Sequence, residues 1–133
     1  MPDTFELEIV TPEKRVVKEA VEELQMPGAD GYLGILPGHA PLITELAVGE
    51  LTYRSGGASH RMVVCWGFAE VLPERVTILA ETCELPSEID VARAQQAKAR
   101  AEERLKSGKT DVDYERAEEA LERASARIEV ASK

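Results

Sequence analysis

Hydrophobic and polar positions alternate along the first two thirds of the chain. In Thr4–Val10, the side chains of Phe5, Leu7 and Ile9 alternate with glutamates, which is the period of a half-buried strand. Gly- and Pro-rich turns separate it from further strand-like segments. These segments are Ala20–Met26, Tyr32–Leu36, Leu42–Leu46, Gly49–Arg54, His60–Trp66, Phe68–Leu72 and Val76–Leu85. Many short strands at this spacing predict an antiparallel β-sandwich over residues 1–86.

The period becomes helical after Pro86. Ser87, with Asp90 three residues later, predicts a capping box at the start of a helix. The stretch Glu88–Lys106 is rich in Ala, Gln, Lys, Glu and Arg, which are strong helix formers. Gly108 is a typical residue just beyond a helix end. We therefore predict a first helix over Glu88–Lys106.

A second helix is predicted to begin with Thr110 or Asp111 as its cap and to run to about Val130. The short connection makes the two helices antiparallel, so residues 87–133 are predicted to form a two-helix hairpin. Apolar positions at steps of three and four define the seam between the helices. They are Ala94, Ala97, Ala101 and Leu105 on the first helix, and Tyr114, Ala117, Leu121, Ala124, Ile128 and Ala131 on the second.

The predicted seam consists mostly of alanine. A buried methyl group contributes only about 0.8 kcal/mol, so two helices of this length form a marginally stable pair. One interpretation is an element that opens, extends or docks elsewhere at modest cost. The alternative is a small, rigid hairpin, and the spacing of the residues does not distinguish the two.

Charge and composition exclude several classes of protein. The net charge is −9: residues 1–86 carry 14 acidic and 6 basic side chains, and residues 87–133 carry 11 and 10. Such a surface repels nucleic-acid phosphates and anionic lipids. Residues 1–10 lack the apolar core of a signal peptide, and no apolar run has the roughly 20 residues of a membrane helix. We expect an intracellular protein that reaches the membrane only through another protein.

The cysteines and histidines do not form a recognisable site. Cys65 and Cys83 stand alone in strand-like runs, so we interpret them as buried thiols, with a disulfide as the alternative. His39 and His60 lie on separate segments without clustered ligands, so no metal site is expected. There is no nucleophile elbow, no catalytic triad pattern and no phosphate-binding P-loop. We therefore do not expect an enzyme.

Five blocks of sequence resemble one family in the correct order. They are Leu7–Glu13 (LEIVTPE), Gly34–Thr44 (GILPGHAPLIT), Gly67–Val71 (GFAEV), Val76–Glu81 (VTILAE) and Ile89–Ala94 (IDVARA). On these blocks the chain resembles the epsilon subunits of bacterial F-type ATP synthases over essentially its whole length.

The resemblance implies a non-catalytic part of the central stalk, the rotor that couples proton transport to ATP synthesis. It implies a β-sandwich that binds the gamma subunit and the ring of c subunits on the cytoplasmic side of the bacterial plasma membrane. It also implies a hairpin that contacts the alpha and beta subunits when extended and then inhibits ATP hydrolysis. The residues expected to contact other subunits are Asp30, Tyr32, Gly38, His39, Pro41 and Leu42.

Two positions depart from the family pattern. Tyr32 occupies a position where many relatives have an acid that faces the c ring, and Asp30 is the nearby acid that would substitute for it. Trp66 occupies the first of two positions that are commonly glycine, where we expect a buried side chain that fills space.

Four arginines of the hairpin suggest an anion site. Arg93 and Arg100 lie seven residues apart on the first helix, and Arg123 and Arg127 lie four apart on the second. In an antiparallel pair, Arg93 would lie opposite residue 124, close to Arg123 and Arg127. Guanidinium groups bind phosphates through paired donors. From spacing alone, the alternative is ion pairing on a solvated face with acids at positions 90, 119 and 122.

The resemblance favours ATP as a regulatory ligand of this hairpin, with no other cofactor required. In ATP-binding relatives, the Ile and Asp of the IDVARA block lie near the adenine and the arginines lie nearer the ribose and phosphates. The matching residues here are Glu84, Ile89, Asp90, Arg93, Arg100, Arg123 and Arg127. A different class of protein remains as an alternative, namely a small-molecule-binding sandwich whose helical hairpin forms a homodimer.

Overall fold

The predicted alternation is present in the first strand, β1 (Phe5–Val10). In the computed structural model, which describes residues 3–133, Phe5, Leu7 and Ile9 are buried and Glu6 faces outward. The chain divides into two units, one ending at Glu84 and the other comprising Leu85–Lys133. Each is described by itself below.

The first unit is a seven-stranded sheet with the strand order β2-β1-β7-β6-β5-β3-β4. Its remaining strands are β2 (Arg15–Val21), β3 (Glu23–Gly28), β4 (Gly31–Ile35), β5 (Leu42–Ser55), β6 (Ala58–Val71) and β7 (Arg75–Glu84). Neighbouring strands pair antiparallel, except that β1 and β7 pair parallel. The predicted fold class is confirmed, with this one parallel pair as a departure. The pair is parallel because β7 returns beside β1 through the rest of the sheet rather than through a tight turn.

The sheet folds over a single core. Apolar side chains from all seven strands belong to one buried cluster, which includes Leu7 from β1, Val21 from β2 and Ile35 from β4. The chain also crosses between distant parts of the strand order, because Glu22 alone connects β2, the first strand in that order, to β3, the sixth. The layers therefore enclose the core as in a sandwich.

Several predicted strand boundaries were wrong. The segments Leu42–Leu46 and Gly49–Arg54 are parts of one long strand, β5, and the two segments around Gly67 are parts of β6. The predicted strand Ala20–Met26 is divided between β2 and β3. Gly67 separates the two predicted segments of β6, but it pairs with Leu46 on β5 and with Ala80 on β7, so the strand continues through it.

The backbones of β6 and β7 approach each other closely at Gly67. Gly67 has φ of +134°, and a Cβ atom built there would lie 1.9 Å from the carbonyl oxygen of Leu79. The preceding residue, Trp66, has φ of +48°, which is rare for a bulky side chain. Trp66 is half-buried rather than buried, so the expectation of a space-filling side chain was only partly right.

The two cysteines are buried thiols, as predicted. Cys83 pairs with Val64 across β6 and β7, so neighbouring Cys65 points to the opposite face of the sheet. The Cys83 thiol donates to the Met62 sulfur at 3.2 Å.

The second unit contains a short 3-10 turn, Pro86–Glu88, followed by the helices α1 (Val91–Lys106) and α2 (Tyr114–Ala131). The predicted start of α1 was wrong, because Ile89 has an extended backbone that separates the turn from the helix. Asp90 is the cap of α1, and its carboxylate accepts from the amide of Arg93 at 3.0 Å.

The start of α2 was also predicted too early. Its cap is Asp113, whose carboxylate accepts from the amide of Arg116 at 3.1 Å. The Tyr114 hydroxyl donates to the carbonyl of Lys109 at 2.7 Å. This bond ties the connection Ser107–Asp113 back on itself, so the chain remains non-helical past Thr110 and Asp111.

The alanine seam of the hairpin is present. Ala94 and Ala101 are buried on α1, and Ala117, Ala124 and Val130 are buried on α2. The remaining predicted seam residues are half-buried, except Tyr114, which is exposed. Val130 was not predicted to be buried.

Candidate functional site

The predicted arginines flank the buried seam of the hairpin. Three of them directly precede a buried alanine: Arg93 precedes Ala94, Arg100 precedes Ala101 and Arg123 precedes Ala124. A helix turns about 100° per residue, and in an antiparallel pair the positions one before the seam lie on the same side of both helices. Arg127, three residues after Ala124, also lies on this side. We call this side of the hairpin the arginine face.

Two further arginines belong to the arginine face and were missed from the sequence. Arg104 on α1 and Arg116 on α2 line one cavity of about 430 Å³ together with Asp111, Val112 and Asp113. Arg116 could have been identified from its spacing, because it precedes the seam residue Ala117 and lies seven residues before Arg123. The two acidic residues in the lining lower the net positive charge at this end of the hairpin.

The other residues of the predicted ATP site have different environments. Ile89 is buried and Asp90 serves as the α1 cap. Glu84 is the last residue of β7 and is half-buried in the sheet unit. The carboxylate of Asp90 already accepts from a backbone amide as the cap of α1. Any contact with a ligand would be a second role for this side chain.

The alternative to an anion site was that the arginines form ion pairs with nearby acids, and for two of the arginines the structure does not support it. Within residues 3–133, the side chains of Arg93 and Arg100 form no ion pair or hydrogen bond. The Asp90 carboxylate is bonded to the backbone of Arg93 rather than to its guanidinium group. Arg123 and Arg127 do have interactions. On α1, two exposed guanidinium groups therefore remain available to an anion.

The predicted subunit-contact residues lie on β4, in the segments before and after it, and at the start of β5. Asp30 is in the tight turn between β3 and β4, and Tyr32 lies on β4. Gly38, His39 and Pro41 belong to the connection between β4 and β5, which we call the Leu36–Pro41 loop. Leu42 begins β5 and packs against the core.

The Leu36–Pro41 loop is held by hydrogen bonds. The amide of Gly38 donates to the carbonyl of Pro73 at 2.9 Å, and that of His39 donates to Leu36 at 3.2 Å. The Nδ1 atom of His39 lies 2.7 Å from the carbonyl oxygen of Ala40. A carbonyl only accepts, so Nδ1 carries the proton in this contact.

Exposed apolar side chains form a patch on the outer face of the sheet. Ile43 on β5 is 73% exposed, Phe68 on β6 is 54% exposed and Leu79 on β7 is 56% exposed. Phe68 and Leu79 are directly paired across the strands, and Ile43 pairs with Glu70, two residues beyond Phe68 on β6. We call these three residues the apolar patch. A contiguous exposed patch of this kind is typical of a protein interface.

Comparison with known proteins identifies the family. Residues 4–86 match the beta-sandwich domain of the ATP synthase delta/epsilon chain, and residues 87–132 match its long alpha-helix domain. The chain therefore belongs to the ATP synthase delta/epsilon chain family, and the resemblance seen in its sequence is confirmed.

Similar proteins include several bacterial proteins named ATP synthase epsilon chain. The one from Koribacter versatilis is 64% identical over 107 residues, which cover 80% of this chain and 75% of the relative. The one from Syntrophobacter fumaroxidans is 48% identical over 133 residues, covering 100% of this chain and 99% of the relative. These matches support an epsilon-type subunit of an F-type ATP synthase.

Solved structures agree with this assignment. A chain in the OSCP/F1/c-ring structure of the Euglena gracilis mitochondrial ATP synthase has a TM-score of 0.87 and 26% identity, with 100% of this chain and 84% of that chain covered. A chain in the central stalk/c-ring structure from Tetrahymena thermophila has a TM-score of 0.56 at 15% identity, which supports the fold alone. Among the described residues, no helix is long and apolar enough to cross a membrane.

Proposed function

We propose that this chain is a rotor component of the central stalk in a bacterial ATP synthase and that its hairpin is an ATP-responsive regulatory element. The sandwich binds the gamma subunit and the c ring at the cytoplasmic side of the membrane. The hairpin binds ATP on the arginine face and, when extended, contacts the alpha and beta subunits and inhibits ATP hydrolysis.

The arginine face is the observation that carries the regulatory part. Arg93 and Arg100 present two exposed guanidinium groups without partners among residues 3–133, seven residues apart on one helix. Arg123 lies on the same side of the second helix. A triphosphate in contact with both helices binds only while they are paired. By linkage, ATP therefore favours the closed hairpin over any extended form.

The seam makes such a shift accessible. Its buried side chains are four alanines and one valine. Small side chains contribute little apolar area, so ligand binding competes with a small packing energy rather than a large one. Binding of ATP well above its dissociation constant would supply a few kcal/mol, since a hundredfold excess contributes about 2.7 kcal/mol.

The regulatory part is tested by calorimetric titration of ATP into the isolated chain. We expect binding in the wild type and its loss in Arg93→Ala. Lys106→Ala is the matched control, because it removes one cation from the same helix at an exposed position off the arginine face. Equal binding by both variants, or no heat with wild-type protein at several millimolar ATP, would remove ATP regulation and leave the stalk assignment in place.

The rotor part rests on the apolar patch and the Leu36–Pro41 loop. Phe68→Asp places a charge in the centre of the patch and is expected to weaken binding to the purified gamma subunit by at least about tenfold, because that charge would be desolvated in the interface. Ser59→Asp is the control, an exposed position on the same strand. A wild-type chain that forms a tight homodimer and does not bind the gamma subunit would overturn the assignment. It would favour the alternative, a small-molecule-binding sandwich that dimerises through its hairpin.

A further inference from the structure

The ladder between β3 and β5 contains an irregularity beside Tyr32. Gln25 pairs with Thr52, but the next pair is Gly28 with Leu46. Residues 47–51 of β5 therefore lie opposite only two residues of β3, one of which is Pro27. The regular pairing of β3 with β5 is interrupted between these two pairs, and Gly49 and Glu50 lie in the interrupted stretch.

Tyr32 fills this gap from the neighbouring strand. Its hydroxyl accepts a hydrogen bond from the amide of Glu50 at 3.0 Å, across a separation of 18 residues. Backbone donors in a sheet are normally satisfied by other backbone groups, whereas here a side chain from β4 accepts the bond. The Tyr32 hydroxyl thus serves as an acceptor for β5 in the stretch where the β3–β5 pairing is irregular.

The contact also depends on Gly49. A Cβ atom at Gly49 would lie 2.6 Å from the Tyr32 hydroxyl and 2.9 Å from Cβ of Pro27. Pro27 is in turn the cross-strand partner of Tyr32. Tyr32 is 62% exposed, yet its hydroxyl end lies directly against the backbone of β5. A side chain at position 49 would displace it.

The position of β4 gives this contact its significance. β4 is the last strand in the strand order, and within residues 3–133 its one partner strand is β3. It leads directly into the Leu36–Pro41 loop, and the turn that contains Asp30 precedes it. The Tyr32 hydroxyl is therefore a direct tether from this edge strand to β5, across the intervening strand β3.

We propose that Tyr32 is a positioning residue, whose bond to Glu50 fixes the β3–β4 hairpin and thereby the Leu36–Pro41 loop in the orientation that binds the c ring. The inference rests on the proposed rotor function. It assigns to Tyr32 a role different from that of an acid facing the ring: the hydroxyl is turned toward its own chain, and Asp30 remains the exposed acid of the hairpin.

The test uses Tyr32→Phe, which removes one oxygen atom and keeps the ring. Amide hydrogen exchange is measured by NMR for the full chain, and binding is measured to a purified complex of the gamma subunit and the c ring. We expect exchange at the Glu50 amide to accelerate by roughly tenfold as its bond is lost. We expect the dissociation constant to rise by about threefold to tenfold while the melting temperature changes little.

Tyr114→Phe is the matched control. Its hydroxyl also bonds to a backbone group, the carbonyl of Lys109, but lies in the hairpin connection. This variant should leave both Glu50 exchange and rotor binding unchanged.

Each alternative outcome has a separate meaning. Unchanged exchange at Glu50 in Tyr32→Phe would show that the hydroxyl does not hold β5 and would overturn the proposal. Faster exchange with unaltered affinity would reduce Tyr32 to a purely structural residue and also overturn it. Failure of the wild-type chain to bind the complex would overturn the rotor function and the positioning role together, while the exchange data would still report whether the tether exists.

Discussion

The hydroxyl of Tyr53 on β5 donates a hydrogen bond of 2.7 Å to the carboxylate of Glu19 on β2, although these strands are far apart in the strand order. The other carboxylate oxygen accepts from the hydroxyl of Ser55 at 3.2 Å. Burial raises the pKa of Tyr53, and the bond to Glu19 raises it further, so the phenol remains a donor at physiological pH. This contact joins β5 to β2 across the sandwich.

Removal of the Tyr53 hydroxyl should therefore destabilise the sandwich. We expect Tyr53→Phe to lower the free energy of unfolding by about 1–2 kcal/mol, because a bond to a partly buried carboxylate is lost. Urea unfolding checks this. In a double-mutant cycle with Glu19→Gln, the two losses should be clearly less than additive. Additive losses would mean that the two side chains do not act as a pair.

The hydrogen bonds of Glu22 should make the stability of the sheet unit depend on pH. Glu22 accepts from the amide of Gly57 at 2.8 Å and from Nε of Arg54 at 3.0 Å. The amide bond and then the guanidinium bond hold the pKa of Glu22 below its usual range. A carboxyl with a lowered pKa in the folded state stabilises the fold above its unfolded pKa and loses this contribution as pH falls through its folded pKa.

We therefore compare wild type with Glu22→Gln by urea unfolding from neutral pH downward. The difference in unfolding free energy should be constant near neutrality and should shrink once the pH falls below about 4.3, the ordinary glutamate pKa. Glu13→Gln, at an exposed position in the β1–β2 connection, serves as the control. A difference that does not vary with pH would contradict the prediction.

The close approach at Gly67 predicts strong intolerance of any side chain. Gly67→Ala would place Cβ 1.9 Å from the carbonyl oxygen of Leu79, at a backbone φ of +134°. We expect a loss of at least about 3 kcal/mol in unfolding free energy, because both the clash and the backbone conformation are unfavourable.

Gly34→Ala is the matched control for this substitution. A Cβ atom at Gly34 has no neighbour within 4 Å, and its φ is not in the positive region. Its unfolding free energy should change by no more than about 0.5 kcal/mol. If the two variants unfolded at the same urea concentration, the backbone contact at Gly67 would not be a feature of the protein in solution.

The seam predicts that enlargement of a buried alanine opens the hairpin. Ala101→Leu should destabilise the pairing of α1 and α2 by about 1–3 kcal/mol, because the added atoms force the helices apart. Ala99→Leu, on the exposed side of α1, should have little effect. Hydrogen exchange of α2 amides provides the measurement, and equal protection in both variants would show that the helices do not pack through Ala101.

The elements predicted best are those with strong local signals. The alternation in β1 and the helix-forming composition after Pro86 identified the correct element types. Boundaries were less accurate, because Asp111 and Asp113 are equivalent capping residues in sequence. In the structure Asp113 caps α2 by accepting from the amide of Arg116, while the bond from Tyr114 to Lys109 lies within the connection before the helix.

Some residues of the candidate site could likewise be predicted from the sequence, and others could not. The spacing of Arg93, Arg100 and Arg123 was visible in the sequence, and so were the contact residues implied by the resemblance. Arg104 was missed because its cavity depends on how the Ser107–Asp113 connection folds back. The orientation of Tyr32 was also hidden, because it follows from a register shift between β3 and β5.

The sequence by itself determined the order of a strand-rich part and a helical part, the alanine seam and the family. These properties follow from local periodicity and composition, which act over a few residues. Only the tertiary structure decided that β1 lies parallel to β7, that Glu19 meets Tyr53 and that Tyr32 bonds to Glu50. Each of these joins residues distant in the chain, and their pairing is set by how the whole sheet encloses its core.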